Sequence, residues 1–160
     1  MNGHIASKWP FMPAPLFLCG GPTEQGHRMT EPSVIATVGS ADFQVRLGDG
    51  THQWIADEPE SLGGRDTGPS PASLILSGLG ACTSITLRMY AKRKAWPLDS
   101  LQVTLSMTST ADGTVIDRQI QLAGALSDEQ RERLLHIANS CPMHKVLSGS
   151  IRIDTALAPA

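Results

Sequence analysis

The stretch GPSPASLILSGLGACTSITLRMYAKRKAWPL, residues 68–98, decides the fold. Ser70 followed by Pro71 is a helix start. Serine suits the N-cap, and proline suits the first helical position, where its missing N–H costs nothing. From Ala72 to Leu87 no residue is charged. Leu74, Ile75, Leu76, Leu79, Ala81, Cys82, Ile85, Leu87 and Met89 cover most of the circumference. A helix apolar on nearly all sides is buried on nearly all sides. The small residues Ser73, Ser77, Gly78, Gly80 and Ala81 leave room for a second helix to approach closely. Ser77, Thr83, Ser84 and Thr86 argue against a membrane span, and no stretch reads as apolar enough to cross a bilayer. Arg88, Lys92, Arg93 and Lys94 crowd the far end, where cations complement the helix dipole, and Trp96-Pro97 stops the helix.

Upstream, DEPESLGGRDTGPSP (57–71) is dense in turn formers and reads as a loop. Before it, Val34–Gly39 and Phe43–Leu47 hold β-formers in partial alternation. Gly48-Asp49-Gly50 is a turn, and Thr51–Ala56 resumes with Trp54 and Ile55. That pattern predicts a meander of short antiparallel strands. Downstream, Leu101, Val103, Leu105 and Met107 alternate with Gln102, Thr104 and Ser106, which predicts a strand with one buried face. After a turn at Ala111-Asp112-Gly113, Val115–Leu122 forms another strand, with Ile116, Arg118, Ile120 and Leu122 on one face. Ser127-Asp128-Glu129-Gln130 is a capping box opening an amphipathic helix through Leu134, Leu135, Ile137 and Ala138. Cys141-Pro142 starts a short helix to about Leu147, and Ile151–Leu157 reads as a last strand. Strands grouped around helices in this order indicate an α+β fold rather than repeated βαβ units.

Residues 1–28 break every period with Pro10, Pro13, Pro15, Pro22 and Gly20-Gly21. Lys8 is the only early cation there, and the prolines cut the apolar part, so a secretory signal does not fit. Residues 1–33 read as a flexible leader, or in part as translated sequence upstream of a start at Met29, and 34–160 as the ordered domain. The 160 residues suit one compact domain without disulfide staples. Thirteen Lys and Arg against fifteen Asp and Glu exclude a strongly basic nucleic-acid binder and give no reason for an anionic membrane partner. Charged residues make up only 18%, which points to a surface partly covered by a partner subunit. Three cysteines far apart do not suit a secreted disulfide scaffold, so a cytoplasmic protein is expected.

Each cysteine is then weighed singly. Cys19 lies in the leader and reads as a bystander. Cys82, mid-helix in Gly80-Ala81-Cys82-Thr83, is either a small buried hydrophobe or a functional thiol. Cys141 falls at an N-cap, where free backbone N–H groups favour a thiolate. His144, one turn on, is either a solvated histidine or a partner for a sulfur or substrate. Cys141 and His144 also have a spacing open to a metal, with Cys82 as a third ligand. Zinc wants a fourth ligand or a water, no second close pair exists, and His52 and His136 lie in other elements. Gly78-Leu79-Gly80 lies inside a helix, which is the wrong place for a dinucleotide fingerprint.

The run 68–98, with ADEPESLGG at 56–64, resembles the OsmC family, and SDEQRERLLHIANSCPMHKVLSGSIRI at 127–153 resembles its second signature. The resemblance covers about residues 34–157. A GAC on the long helix with a CP-x-H on a later one is a specific combination, nearer the general OsmC-like branch than the organic hydroperoxide resistance (Ohr) branch. It implies an OsmC-like fold, with antiparallel sheets wrapped around long central helices in an intertwined homodimer. It also implies a thiol-dependent peroxidase acting on organic hydroperoxides and, less well, on hydrogen peroxide. Carried over, Cys82 is the peroxidatic residue that becomes a sulfenic acid, and Cys141 resolves it into a disulfide. An external dithiol restores both, with no metal or organic cofactor. The implied partners are a second copy, a small hydroperoxide and the reductant, with neither nucleic acid nor membrane.

Family members steady the thiolate with an arginine, held by a glutamate near the start of the long helix. Here that place falls at about Ala72 or Ser73. Arg46 and Arg65 are the candidate arginines, and Glu58 or Glu60 could hold one from the loop. Two other readings stay open. The missing glutamate suits a non-catalytic stress or ligand-binding protein on the same fold. Cys141 and His144 suit a metal-dependent or acyl-transfer enzyme.

Overall fold

The computed structural model describes residues 32–159. The expected leader, and Cys19 with it, lies almost wholly outside the described residues. Three short strands, β1 (Ile35–Val38), β2 (Val45–Gly48) and β3 (Gln53–Ala56), form an antiparallel meander. A single 3-10 turn follows at Glu60–Leu62, inside the expected loop. Helix α1 spans Pro71–Arg93, then come strands β4 (Ser100–Thr110) and β5 (Gly113–Ala123) and helices α2 (Asp128–Ala138) and α3 (Pro142–Leu147).

The local signals act as their chemistry requires. Ser70 caps α1 by accepting from the Ser73 N–H, with Pro71 at the first position. Ser127 and Gln130 make both bonds of the capping box on α2. β4 and β5 pair along their full length, from Ser100 opposite Ala123 to Thr110 opposite Gly113. The inward rows face each other: Leu101 with Leu122, Val103 with Ile120, Leu105 with Arg118, and Met107 with Ile116. Gly124, just past β5, has φ of +134°, and a Cβ there would lie 2.0 Å from the Pro97 carbonyl oxygen. Only glycine lets the chain cross at that point.

The core sits between α1, α2 and the β4–β5 hairpin. Leu87, Ala91, Leu98, Leu126, Leu134 and Ala138 form its buried cluster, with Tyr90, Trp96, Leu101, Ile120, Leu122 and Ile137 packed around it. α1 buries one stripe, Leu79, Thr83, Leu87 and Ala91, spaced by four residues. The sequence predicts burial on nearly all sides, and a single chain does not supply it: Ile75, Ile85 and Met89 are exposed. At Gly80 the neighbour that exploits the missing side chain is Leu105 of β4, not a second helix.

Two further expectations are corrected. Residues 151–159 hold no strand, although Ile151–Leu157 alternates like one. A strand needs a ladder partner, and the described residues of one chain offer none there. By length and mean hydropathy α1 does meet the requirement for a membrane span, contrary to the sequence reading. Its stripe nevertheless packs on protein, against β4, α2 and α3.

The loop before α1 is organised by one carboxylate. Asp57 is buried, and its oxygens accept from the N–H groups of Glu58 (2.8 Å), Arg65 (3.3 Å) and Thr67 (3.1 Å) and from the Thr67 hydroxyl (2.7 Å). The Thr67 hydroxyl and these N–H groups hold its pKa below the usual carboxylate value, against the cost of desolvation. Gly64 sits so close to the Glu58 carbonyl oxygen that a Cβ would come within 1.8 Å.

Candidate functional site

Cys82 lies next to Thr83 on α1, one position off the buried stripe, and is half-buried. Cys141 is fully buried. It caps α3 with Pro142 at the first helical position, after a tight turn in which its N–H donates to the Ala138 carbonyl at 3.3 Å. α1 packs on α3, and the two sulfurs meet at 2.9 Å. That is inside van der Waals contact and outside the ~2.05 Å of a bond. Both are free thiols.

The pair is polarised. Burial pushes the Cys82 thiol up, and the hydrogen bond with the neighbouring Cys141 sulfur and the repulsion between the two charges add to that. Burial also works against ionising Cys141, but it is outweighed. The Cys82 thiol, the backbone N–H groups of His144 and Met143 at the start of α3, and the Thr83 hydroxyl together pull the Cys141 thiol below its ordinary value. One proton held between two sulfurs 2.9 Å apart belongs to the pair rather than to either residue.

Behind Cys141 stands a residue that sequence reasoning missed. Thr83 Oγ1 is 4.0 Å from Cys141 Sγ. Arg118 Nη1 donates to Thr83 Oγ1 at 3.0 Å and to the Ala138 carbonyl at 3.3 Å, and Nη2 donates to Asn139 Oδ1 at 2.8 Å. Arg118 thus ties β5 to α1 and to the end of α2. The available signal was an arginine in the inward row of β5, between Ile116 and Ile120. A cation on a buried face needs partners.

The other expected residues lie elsewhere. Arg46, on β2, lines a concavity of the meander with Trp54 and Ile55. Arg65 gives its backbone N–H to Asp57. Glu58 does the same, and Glu60 opens the 3-10 turn. Among the described residues no hydrogen bond or ion pair joins any of these four side chains to either cysteine. His144 lies in the first turn of α3, and its backbone N–H favours a thiolate at Cys141. No group of three or more His, Cys, Asp or Glu among the described residues is placed to hold a metal.

The family pattern described as OsmC-like protein matches residues 64–156, more than half of the chain. The chain belongs to the OsmC family. Curated protein sequences give no match. Solved structures share the fold. An OsmC-like protein from Mycoplasma pneumoniae superposes with a TM-score of 0.66 at 21% identity, covering 76% of this chain and 89% of that one. An organic hydroperoxide resistance protein OsmC from Legionella pneumophila gives 0.58 at 23% identity, covering 76% and 91%. The organic hydroperoxide resistance protein OhrB of Bacillus subtilis gives 0.54 at 24% identity, covering 74% and 91%. The OsmC-type α+β fold expected from the two signatures is therefore the fold of this chain.

Proposed function

We propose that this OsmC-family protein is a thiol-dependent peroxidase that reduces organic hydroperoxides. The observation that carries the reading is the free Cys82–Cys141 pair at 2.9 Å, one thiol half-buried and the other fully buried. Cys82, the reachable sulfur, attacks the outer peroxide oxygen. The O–O bond breaks, the alcohol leaves, and Cys82 becomes a sulfenic acid. Cys141 then attacks the Cys82 sulfur, an S–S bond forms, and hydroxide leaves. Two electrons pass from the two sulfurs to the peroxide, and an external dithiol returns them by exchange. The cycle calls for no metal or organic cofactor. The protein works as a homodimer, which would cover the exposed Ile75, Ile85 and Met89 of α1. It acts in the cytoplasm, where such thiols stay reduced.

The test is consumption of an organic hydroperoxide with dithiothreitol as reductant. Wild type should turn over, and Cys82→Ser should fall to background. Mass spectrometry of the oxidised wild type should show a Cys82–Cys141 disulfide. Equal, slow consumption by wild type and Cys82→Ser would end this reading.

A non-catalytic ligand-binding role on the same fold is the second reading. Two observations favour it: Ala72 and Ser73 stand where the family places its glutamate, and among the described residues no cation hydrogen-bonds to Cys82. It requires thiols that react with peroxide no faster than free cysteine.

A further inference from the structure

The peroxidase reading needs Cys141 to reach the Cys82 sulfenic acid before a second peroxide does, yet the two sulfurs belong to different elements, α1 and the start of α3. We infer that Arg118 is the positioning residue that sets their separation, by clamping the turn before Cys141 to the residue after Cys82. The inference rests on the peroxidase reading for its use and on hydrogen-bond geometry for its content.

Arg118 stands on a fixed base. It lies midway along β5, directly opposite Leu105, in a hairpin paired over its full length. Leu105 seats against Gly80, where a Cβ would lie 3.0 Å from its Cδ1. Gly80 and Thr83 are three apart on α1 and share a face. One cross-strand pair therefore holds α1 at two points, Leu105 by contact and Arg118 by donating to Thr83 Oγ1 at 3.0 Å. Cys82 lies between those points, so its height along the hairpin is set by them.

The same guanidinium holds the segment that carries the other sulfur. α2 ends at Ala138, and only Asn139 and Ser140 separate it from Cys141. Arg118 Nη1 donates to the Ala138 carbonyl at 3.3 Å, the same carbonyl that accepts the Cys141 N–H at 3.3 Å. Nη2 donates to Asn139 Oδ1 at 2.8 Å. Among the described residues no other side chain hydrogen-bonds both to a neighbour of Cys82 and to this turn. A planar fork spans two segments at once, which the single ammonium of a lysine does not.

Disulfide formation is the step that profits. The Cys141 sulfur attacks the Cys82 sulfenic sulfur, the S–S bond forms and the S–O bond breaks. The departing hydroxide takes the Cys141 thiol proton and leaves as water. Sulfurs held at 2.9 Å meet at a high effective concentration, and a displacement of about 1 Å is enough to cost about a hundredfold.

The experiment equilibrates the full chain with oxidised and reduced dithiothreitol, apart from any peroxide, and reads the Cys82–Cys141 disulfide by mass spectrometry. Arg118→Met should lower the equilibrium constant for the disulfide about tenfold. Arg118→Lys keeps the charge, loses the fork and should fall with it. Asn139→Ala, at an exposed position, should fall in the same direction by less. A residue that only stabilised the fold would leave this constant unchanged, because it acts on the oxidised and reduced protein alike. With tert-butyl hydroperoxide, Arg118→Met should form sulfenic acid, trapped by dimedone, at the wild-type rate and close it to the disulfide about tenfold more slowly. Circular dichroism checks the fold of each variant. The inference is overturned, and the peroxidase left standing, by an unchanged constant in folded Arg118→Met, or in Asn139→Ala should the arginine variants not fold. Full recovery in Arg118→Lys, or sulfenic acid formation slowed as much as closure, has the same result. A constant that falls as stated in a protein that ignores peroxide supports the clamp and overturns the peroxidase reading.

Discussion

The two sheets of this molecule meet opposite fates. The β4–β5 hairpin lays an inward row against α1 and helps close a core in which Leu87 and Leu134 are completely buried. The β1–β3 meander closes nothing: all four residues of β1 are exposed, Ile35 by 76% and Val38 by 63%. Both are antiparallel, and both are rich in β-formers. The difference is whether the chain itself supplies a second layer. Where it does, the site is built, because Cys82, Thr83, Arg118 and Cys141 all hang from the packed half. Where it does not, apolar surface is left that a second copy of the chain would cover.

This contrast can be broken at several points. The largest effect belongs to the packed half: Cys82→Ser should remove hydroperoxide turnover while leaving the circular dichroism spectrum unchanged. Next, Leu134→Ala empties a fully enclosed position in the core and should cost about 2–5 kcal/mol in denaturant unfolding. The meander should answer differently. Val38→Glu should disturb assembly more than folding, lowering the mass seen by light scattering with the α1–α2 core still formed. A wild type that runs as a stable monomer would remove the homodimer from the proposal.

A smaller effect concerns the loop that joins the halves. Asp57 ionises more readily when folded than when unfolded, so its stabilisation is complete above the unfolded carboxylate pKa near ~3.9. It is lost as pH falls through the lower folded value. Asp57→Asn should flatten this acid limb of a thermal stability profile, and an unchanged profile would deny the loop its organising carboxylate. The smallest is Ser127→Ala, which deletes one half of the α2 capping box and should cost about 1 kcal/mol.

What could be read from sequence follows the reach of each interaction. Ser70-Pro71, the Ser127–Gln130 box, Cys141-Pro142 and the alternation of the long hairpin are local devices, and their partners lie within a few residues. The Cys82 and Cys141 signatures were legible for a related reason, since each lies in a distinctive short motif. Arg118 was visible as an inward arginine, but its role was not. Its partners at Thr83, Ala138 and Asn139 are brought near only by the packing of α1 and α2 on the hairpin. Arg46 and Arg65 were candidates by position only, one on an early strand and one in the loop before α1, with neither family spacing nor a local signal to place them. Ile151–Leu157 has the period of a strand, but period says nothing about whether a neighbouring edge exists.

The closeness of Cys82 and Cys141 in space, against 59 positions in sequence, has a thermal consequence. A covalent link across so long a loop removes much of the freedom of the unfolded chain, about 4 kcal/mol by loop-closure entropy. By linkage the fold then favours the oxidised pair by the same amount, roughly 90 mV relative to the unfolded chain. We predict that peroxide-treated protein melts higher than reduced protein, by roughly 10 °C, and that Cys141→Ser abolishes the gap. On that account each encounter with oxidant would leave the protein, until a reductant arrives, in its most heat-resistant form.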